Sequence, residues 1–241
     1  FYAMDNSSLV IYNSDCQTTV SIMSECLAKT LAISDSDISE DIRNVSPQIA
    51  LHHQLNALFV KTAVTFLQGT VPDMTNFLSQ FQFLEHRCET VATVDRRLFI
   101  NDSKSTNPDA TIKAIRSFDG PIHLLLCGVN KGLDMTPLLE VIDSRIDSLI
   151  IFGDLRHYLL PLLKQRNCSV PFFDCDDIFS AFDIALRVSK PLSSVDLSAS
   201  DYDAIVLLSP ASASFDQFDD FEHRGHVFKE LVHQLKERLD G

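Results

Sequence analysis

Four short, almost uninterrupted apolar runs, Ile122–Cys127, Ser148–Phe152, residues 170–173 and Ala204–Leu208, mark the second half of this chain, with stretches of helical spacing between them. A strand with one wet face alternates apolar and polar residues, whereas a strand buried on both faces is apolar throughout. The runs therefore predict an α/β fold with a mostly parallel sheet and helices on both sides. Asn107-Pro108, Thr136-Pro137 and Asp154 each offer a capping side chain at a helix opening. Upstream, Leu55, Leu58, Phe59, Ala63, Phe66 and Leu67 follow helical spacing from Leu51, and Gly69 supplies a stop. A short helix is predicted after Thr75 and a further strand at residues 97–100. The texture changes near Leu84, so residues 1–84 read as one, incomplete unit and residues 85–241 as another.

Charge excludes several partners. The 33 Asp and Glu outweigh 20 Lys and Arg, leaving a net charge of −13, and no basic run with interleaved aromatics offers a local exception. Binding to a nucleic-acid backbone is excluded on that ground, although two or three placed cations suffice for a small phosphorylated molecule. The apolar runs are far shorter than the roughly 20 residues that cross a bilayer, so no membrane partner is expected. Residues 1–6 lack the basic region and apolar core of a leader, and a start at Phe1 rather than Met suggests part of a longer protein. Cys16, Cys26, Cys88, Cys127, Cys168 and Cys175 show no metal or disulfide spacing and read as reduced thiols of a cytoplasmic protein.

Ligands of an open parallel sheet bind beyond the carboxyl ends of its strands, and three loops there are unusual. Asn101-Asp102-Ser103-Lys104-Ser105-Thr106-Asn107-Pro108 runs straight into a helix, whose N-terminal N–H groups attract anions. Gly128-Val129-Asn130-Lys131-Gly132 sets one lysine between two of only seven glycines. The run Ser209 to Phe218 is rich in small residues, and Ser214 with Gln217 resembles a capping box opening the last helix. Taken singly, the first two read more readily as ordinary turns. Neither G-x-x-x-x-G-K-S/T nor G-x-G-x-x-G occurs anywhere.

Together, in this order, the three loops and the adjoining Glu222-x-Arg224-Gly225 resemble the C-terminal part of the Mur ligases. The resemblance extends upstream through Glu85-His86-Arg87-Cys88-Glu89, similar to the family's H-R-x-E, and His52-His53-Gln54-Leu55-Asn56-Ala57-Leu58, similar to its H-N-x-x-N-A-x. Even Val10-Ile11-Tyr12-Asn13-Ser14-Asp15 is similar to a strand late in the family's central domain. The sequence departs from the pattern at His53, Cys127 and Asn130, where Asn, Gly and Asp are usual. The resemblance implies a Rossmann-like C-terminal domain at 85–241, preceded by the C-terminal remnant of an α/β ATPase-type central domain at 1–84. The phosphate loop and the Mg2+ ligands would then lie outside this chain.

The resemblance implies a chemistry as well. ATP phosphorylates a carboxylate, and the amine of an incoming amino acid attacks the acyl phosphate. The pattern of the D-glutamate-adding members fits, with UDP-N-acetylmuramoyl-L-alanine as the other substrate. By that likeness Asn56, Arg87 and Asp102 contact ATP, and Lys104 lies near the phosphates, which makes Lys104 and Asp102 the catalytic candidates. Thr106, Lys131, Ser214, Phe215 and Phe221 would hold D-glutamate. A monomer is expected. The main alternative is a non-catalytic, degenerate relative that keeps a nucleotide or amino-acid pocket. A metal-binding protein is a weaker one, because His223, His226 and His233 fall within about 80° of one another on a helix. A dehydrogenase is argued against by the missing G-x-G-x-x-G.

Overall fold

The computed structural model describes residues 8–44, 51–81, 84–190 and 202–241; residues 1–6, where a leader would begin, lie outside these spans. The chain divides into two compact units, Phe1–Gln82 and Phe83–Gly241.

In the first unit β1 (Leu9–Asn13) pairs in parallel with β2 (Lys29–Ile33), Leu9 opposite Lys29, and α1 (Gln17–Met23) connects them. Helices α2 (Glu40–Arg43), α3 (Leu51–Gln68) and α4 (Met74–Gln80) come next. Ile33, Ile38, Ile42, Leu55, Ala57, Leu58, Met74 and Leu78 form its core. The long helix forms as its spacing predicts, with Gly69 at φ +71° just past its end. Only the first half of its apolar stripe is covered, for Phe66 is 50% and Leu67 79% exposed. The short helix begins two residues before the expected place, capped by Asp73, whose carboxylate accepts the Asn76 N–H at 3.0 Å.

The second unit is a six-stranded sheet in the order β3-β4-β8-β5-β6-β7. Strands β5 (Ile122–Cys127), β6 (Ser148–Phe152) and β8 (Ala204–Leu208) are buried at every residue, the condition their apolar runs anticipate, and so is β4 (Arg97–Asn101) despite Arg97 and Asn101 at its ends; the run at 170–173 instead meets an edge strand, half-buried at Phe172 and Phe173 and exposed at Asp174. These four strands and β7 (Phe172–Asp174) are parallel. Strand β3 (Glu89–Val94) is antiparallel to β4. The sequence pattern does not reveal β3, because its hairpin turns at Asp95 and Arg96, both with positive φ, without the glycine that usually marks such a turn.

The helices α5 (Pro108–Arg116), α6 (Thr136–Arg145) and α7 (Leu155–Gln165) come after β4, β5 and β6. After β7 the chain reverses direction across the sheet, and right-handed crossover then puts α8 (Ile178–Val188) on the opposite face. There α8 and α9 (Phe221–Asp240) cover Phe99, Leu125, Phe152, Val206 and Leu208. Phe99, Phe182 and Phe228 meet at this centre, with ring centroids 5.8–6.5 Å apart. Of the three helix starts expected to be capped, only Asn107 is, its side chain accepting the Ala110 N–H at 2.9 Å. Neither Thr136 nor Asp154 caps through its side chain; Asp134 instead accepts the Thr136 N–H at 2.9 Å. Among the described residues no helix is long and apolar enough to cross a membrane.

Emptying the centre of the three-ring cluster leaves a cavity that neighbours cannot refill. Phe228→Ala is expected to lower the unfolding free energy of the second unit by about 3–5 kcal/mol. Phe179→Ala, at a ring that is 58% exposed, should cost under about 0.5 kcal/mol. Urea denaturation of the two variants checks this contrast.

Candidate active site

Strands β4, β8 and β5 are neighbours, yet β4 and β5 lead into helices on one face and β8 leads into a helix on the other. A crevice therefore opens beyond their carboxyl ends, and its walls are the loops 102–107, 128–132 and 209–220.

These loops are tied together at their roots. Arg224, fully buried on α9, donates from Nε to Ser103 Oγ at 2.9 Å and from Nη2 to the Ser103 carbonyl at 2.8 Å. Its Nη1 reaches the Ser212 carbonyl at 3.2 Å and Cys127 Sγ at 3.7 Å. No carboxylate stands within ion-pair distance of it among the described residues. One cation thus holds the loops after β4 and β8 to the end of β5. Cys127, where the family pattern has glycine, is a fully buried acceptor whose thiol is pushed up to about 12 by burial. Gly128, at φ +104°, packs so closely that a Cβ would lie 2.1 Å from the Ala213 carbonyl oxygen, which accepts the Val129 N–H at 2.7 Å.

Asp102 is 2% exposed, with Oδ1 accepting the Cys88 N–H at 3.1 Å and Oδ2 the Ser209 hydroxyl at 2.7 Å. Burial raises its pKa to about 6 against the opposing pull of Ser105, Ser209 and Cys88. Its carboxylate thereby fixes the turn before β3, in which His86 and Cys88 have positive φ and the half-buried Arg87 lies between them. The Lys104 N–H closes the same turn onto the His86 carbonyl at 3.0 Å.

Lys104 and Lys131 stand exposed at the mouth. Lys104 Nζ lies 4.0 Å from the Phe221 ring centroid and Lys131 Nζ 5.2 Å from that of Phe215. Asn130 accepts the N–H groups of Gly132 and Leu133, each at 3.0 Å, and so shapes the turn that carries Lys131. This needs only a side-chain oxygen, which the family's usual Asp shares. Ser214 is buried beside the exposed Phe215, while Thr106 and Phe221 are half-buried. The fold thus brings Arg87, Asp102, Lys104, Thr106, Lys131, Ser214, Phe215 and Phe221 to one edge of the sheet. Asn56 belongs to the other unit, exposed on α3.

Two expectations need correction. Ser214 and Gln217 do not open the last helix: α9 starts at Phe221, with Asp220 accepting the His223 N–H at 2.7 Å, because the chain spends residues 214–220 in turns along the crevice. The start of α5 offers less to an anion than expected, since Asn107 takes the Ala110 and Thr111 N–H groups and Pro108 has none. Arg224 is the residue to which the sequence reading assigns no role; its place in the Glu222-x-Arg224-Gly225 motif is its only signal.

The metal-capable cluster among the described residues is Glu85, His86 and His226, whose ligand atoms lie within 4.8 Å of one another. It shares only His226 with the α9 histidines of the weaker alternative, for His223 instead faces Asp219 at 3.2 Å. Two imidazoles do not suit Mg2+, which takes oxygen ligands. Asn101 Nδ2 points a hydrogen at His86 Nδ1 over 2.8 Å, so the ring's own proton sits on Nε2, the atom that faces Glu85. That tautomer opposes a metal there.

The position of Asp102 carries a pH signature. Its carboxyl binds a proton more tightly folded than unfolded, so the stability it contributes is present below the ordinary value of 3.8 and is lost as the pH rises through about 6. Relative to Asp102→Asn, the wild-type chain should lose up to about 3 kcal/mol between pH 4 and 7. Denaturation curves for both chains across that range test this, and a constant difference would contradict it.

No protein-family model matches the chain. The UDP-N-acetylmuramoylalanine–D-glutamate ligase of Thermosipho africanus is 36% identical over 162 residues, which is 67% of this chain and 35% of that protein. The ligase of the same name from Alkaliphilus oremlandii is 33% identical over 213 residues, 86% of this chain and 43% of that one. The crystal structure of MurF ligase from Thermotoga maritima in complex with ADP shares the fold, with a TM-score of 0.53 at 13% identity, over 96% of this chain and 54% of that one. The chain thus spans about two fifths of the length of the curated relatives it matches. Alike in sequence over most of its length and alike in fold, the chain belongs to the Mur ligase family.

Proposed function

We propose that the chain is the amino-acid-adding part of an ATP-dependent ligase that joins D-glutamate to UDP-N-acetylmuramoyl-L-alanine in cytoplasmic peptidoglycan precursor synthesis. The observation that carries this reading is the convergence of three anion-competent loops at one sheet edge, with two lysines at the mouth. The names of the curated relatives support the substrates. The upstream half of such a ligase would supply the phosphate loop. The family's Mg2+ finds no all-oxygen ligand set among the clusters of the described residues, so its ligands are assigned to that half and no step here is routed through it.

The chemical task is charge management. A carboxylate resists an amine until phosphate makes it an acyl electrophile, and both the phosphate and the incoming dicarboxylate bring negative charge to an acidic protein. Lys104 offsets charge at the phosphate end. Lys131 and Thr106 hold one carboxylate of D-glutamate, and Ser214, with the backbone at Phe215 and Phe221, holds the other, which points the amine at the acyl carbon. Arg87 and Asn56 serve the nucleotide. Asp102, whose oxygens are both engaged, serves it by fixing the turn that presents Arg87.

Two measurements test the proposal. The 241-residue chain alone, given ATP and Mg2+, should neither hydrolyse the nucleotide nor form acyl phosphate; magnesium-dependent turnover by the pure chain would sink the division of labour. In the complete ligase, Lys131→Ala should raise the KM for D-glutamate by a factor worth about 2–5 kcal/mol. Ser214→Ala should cost less, about 1.5–3 kcal/mol. Effects confined to the ATP parameters would overturn the assignment of these loops to the amino acid.

A further inference from the structure

Phe215 is 65% exposed, yet its neighbours in the loop, Ala213 and Ser214, are buried. Its ring protrudes from a well-packed loop and contributes nothing to the core. What it meets is Lys131 from the next loop, at 5.2 Å. The Val129–Ala213 bridge fixes the roots of the two turns to each other, so the approach is set by backbone. Lys104 repeats the arrangement on Phe221 at 4.0 Å.

Neither lysine has a carboxylate within ion-pair distance among the described residues, in a chain where acids outnumber lysines and arginines 33 to 20. An ammonium pinned by an acid would have to break that pair before accepting a ligand. Over the negative face of a ring it keeps its full charge, loses part of its side-chain freedom in advance, and stays open to a carboxylate on the other side.

We propose that Phe215 is a positioning residue whose ring face holds the Lys131 ammonium ready for a carboxylate of the incoming amino acid. The identity of that amino acid as D-glutamate rests on the proposed function; the pairing itself does not. Phe215→Leu keeps the apolar bulk and the backbone N–H but removes the ring face, whereas Phe215→Tyr keeps the face.

Isotope-labelled full chain is compared by NMR in the three forms, first alone and then titrated with D-glutamate. In the unaltered chain the Lys131 ε-methylene protons should be displaced upfield by the ring current. Phe215→Leu should abolish that displacement and weaken D-glutamate binding about two- to fivefold. Phe215→Tyr should retain the displacement and restore the affinity. The inference is overturned if the unaltered chain shows no upfield displacement, or if Phe215→Leu binds D-glutamate as tightly as the unaltered chain. An upfield displacement in a chain that takes up no D-glutamate would support the pairing and count against the proposed function instead.

Discussion

Taking a guanidinium out of water costs several kcal/mol unless its donors find acceptors in good geometry. Among the described residues Arg224 meets that condition without a carboxylate partner: it is fully buried, and its nitrogens are spent on the Ser103 hydroxyl and carbonyl, the Ser212 carbonyl and the Cys127 thiol. The acceptors come from the loops after β4 and β8 and from Cys127 at the end of β5, so the cation is satisfied only when both loops and that strand end are in place together. Everything at the crevice mouth inherits its position from that requirement. Gly225, next along α9, adds a second constraint, since a Cβ there would lie 2.2 Å from His86 Nδ1. Through His86 the same helix fixes the turn that bears Arg87.

Around this cationic root the acids are kept occupied. Asp102 is buried and shared between Cys88 and Ser209, and Glu89 takes the Lys229 ammonium at 2.5 Å and the His86 N–H at 2.9 Å. Burial works against the Glu89 charge, but those two donors outweigh it and hold its carboxyl below the usual range. Farther along the edge, Asp216 accepts the Asp154 N–H at 2.9 Å. The lysines at the mouth meet rings instead of acids. A protein with a net charge of −13 can in this way present local positive charge at the crevice mouth, because interactions over a few ångströms outweigh a distant, screened excess.

Legibility in the sequence differs between the units. In the second, strands buried on both faces must be apolar throughout, and β5, β6 and β8 could be found from that alone. Strand β3 lacks such a run, with half-buried residues along most of its length and no glycine at its turn. In the first unit the helical spacing from Leu51 locates α3, but β1 and β2 carry no continuous buried face and give correspondingly little signal. The start of α9 is misplaced by the sequence pattern because Ser214 and Gln217 match a capping box in letters while their backbone runs in turns.

The sequence by itself determined the α/β class of the second unit, its mostly parallel sheet, the loops that meet at its crevice and, through their motifs, the family. Each of these depends on local pattern, whether burial along a run, a capping residue or the spacing within a loop. Only the tertiary structure decided that Asp102 faces inward, that Lys131 rests on Phe215, that His226 sits beside His86, and that one arginine ties together residues more than 120 positions apart in the case of Ser103. Those contacts join segments distant along the chain, and no local pattern encodes which of many polar residues a fold will bring face to face.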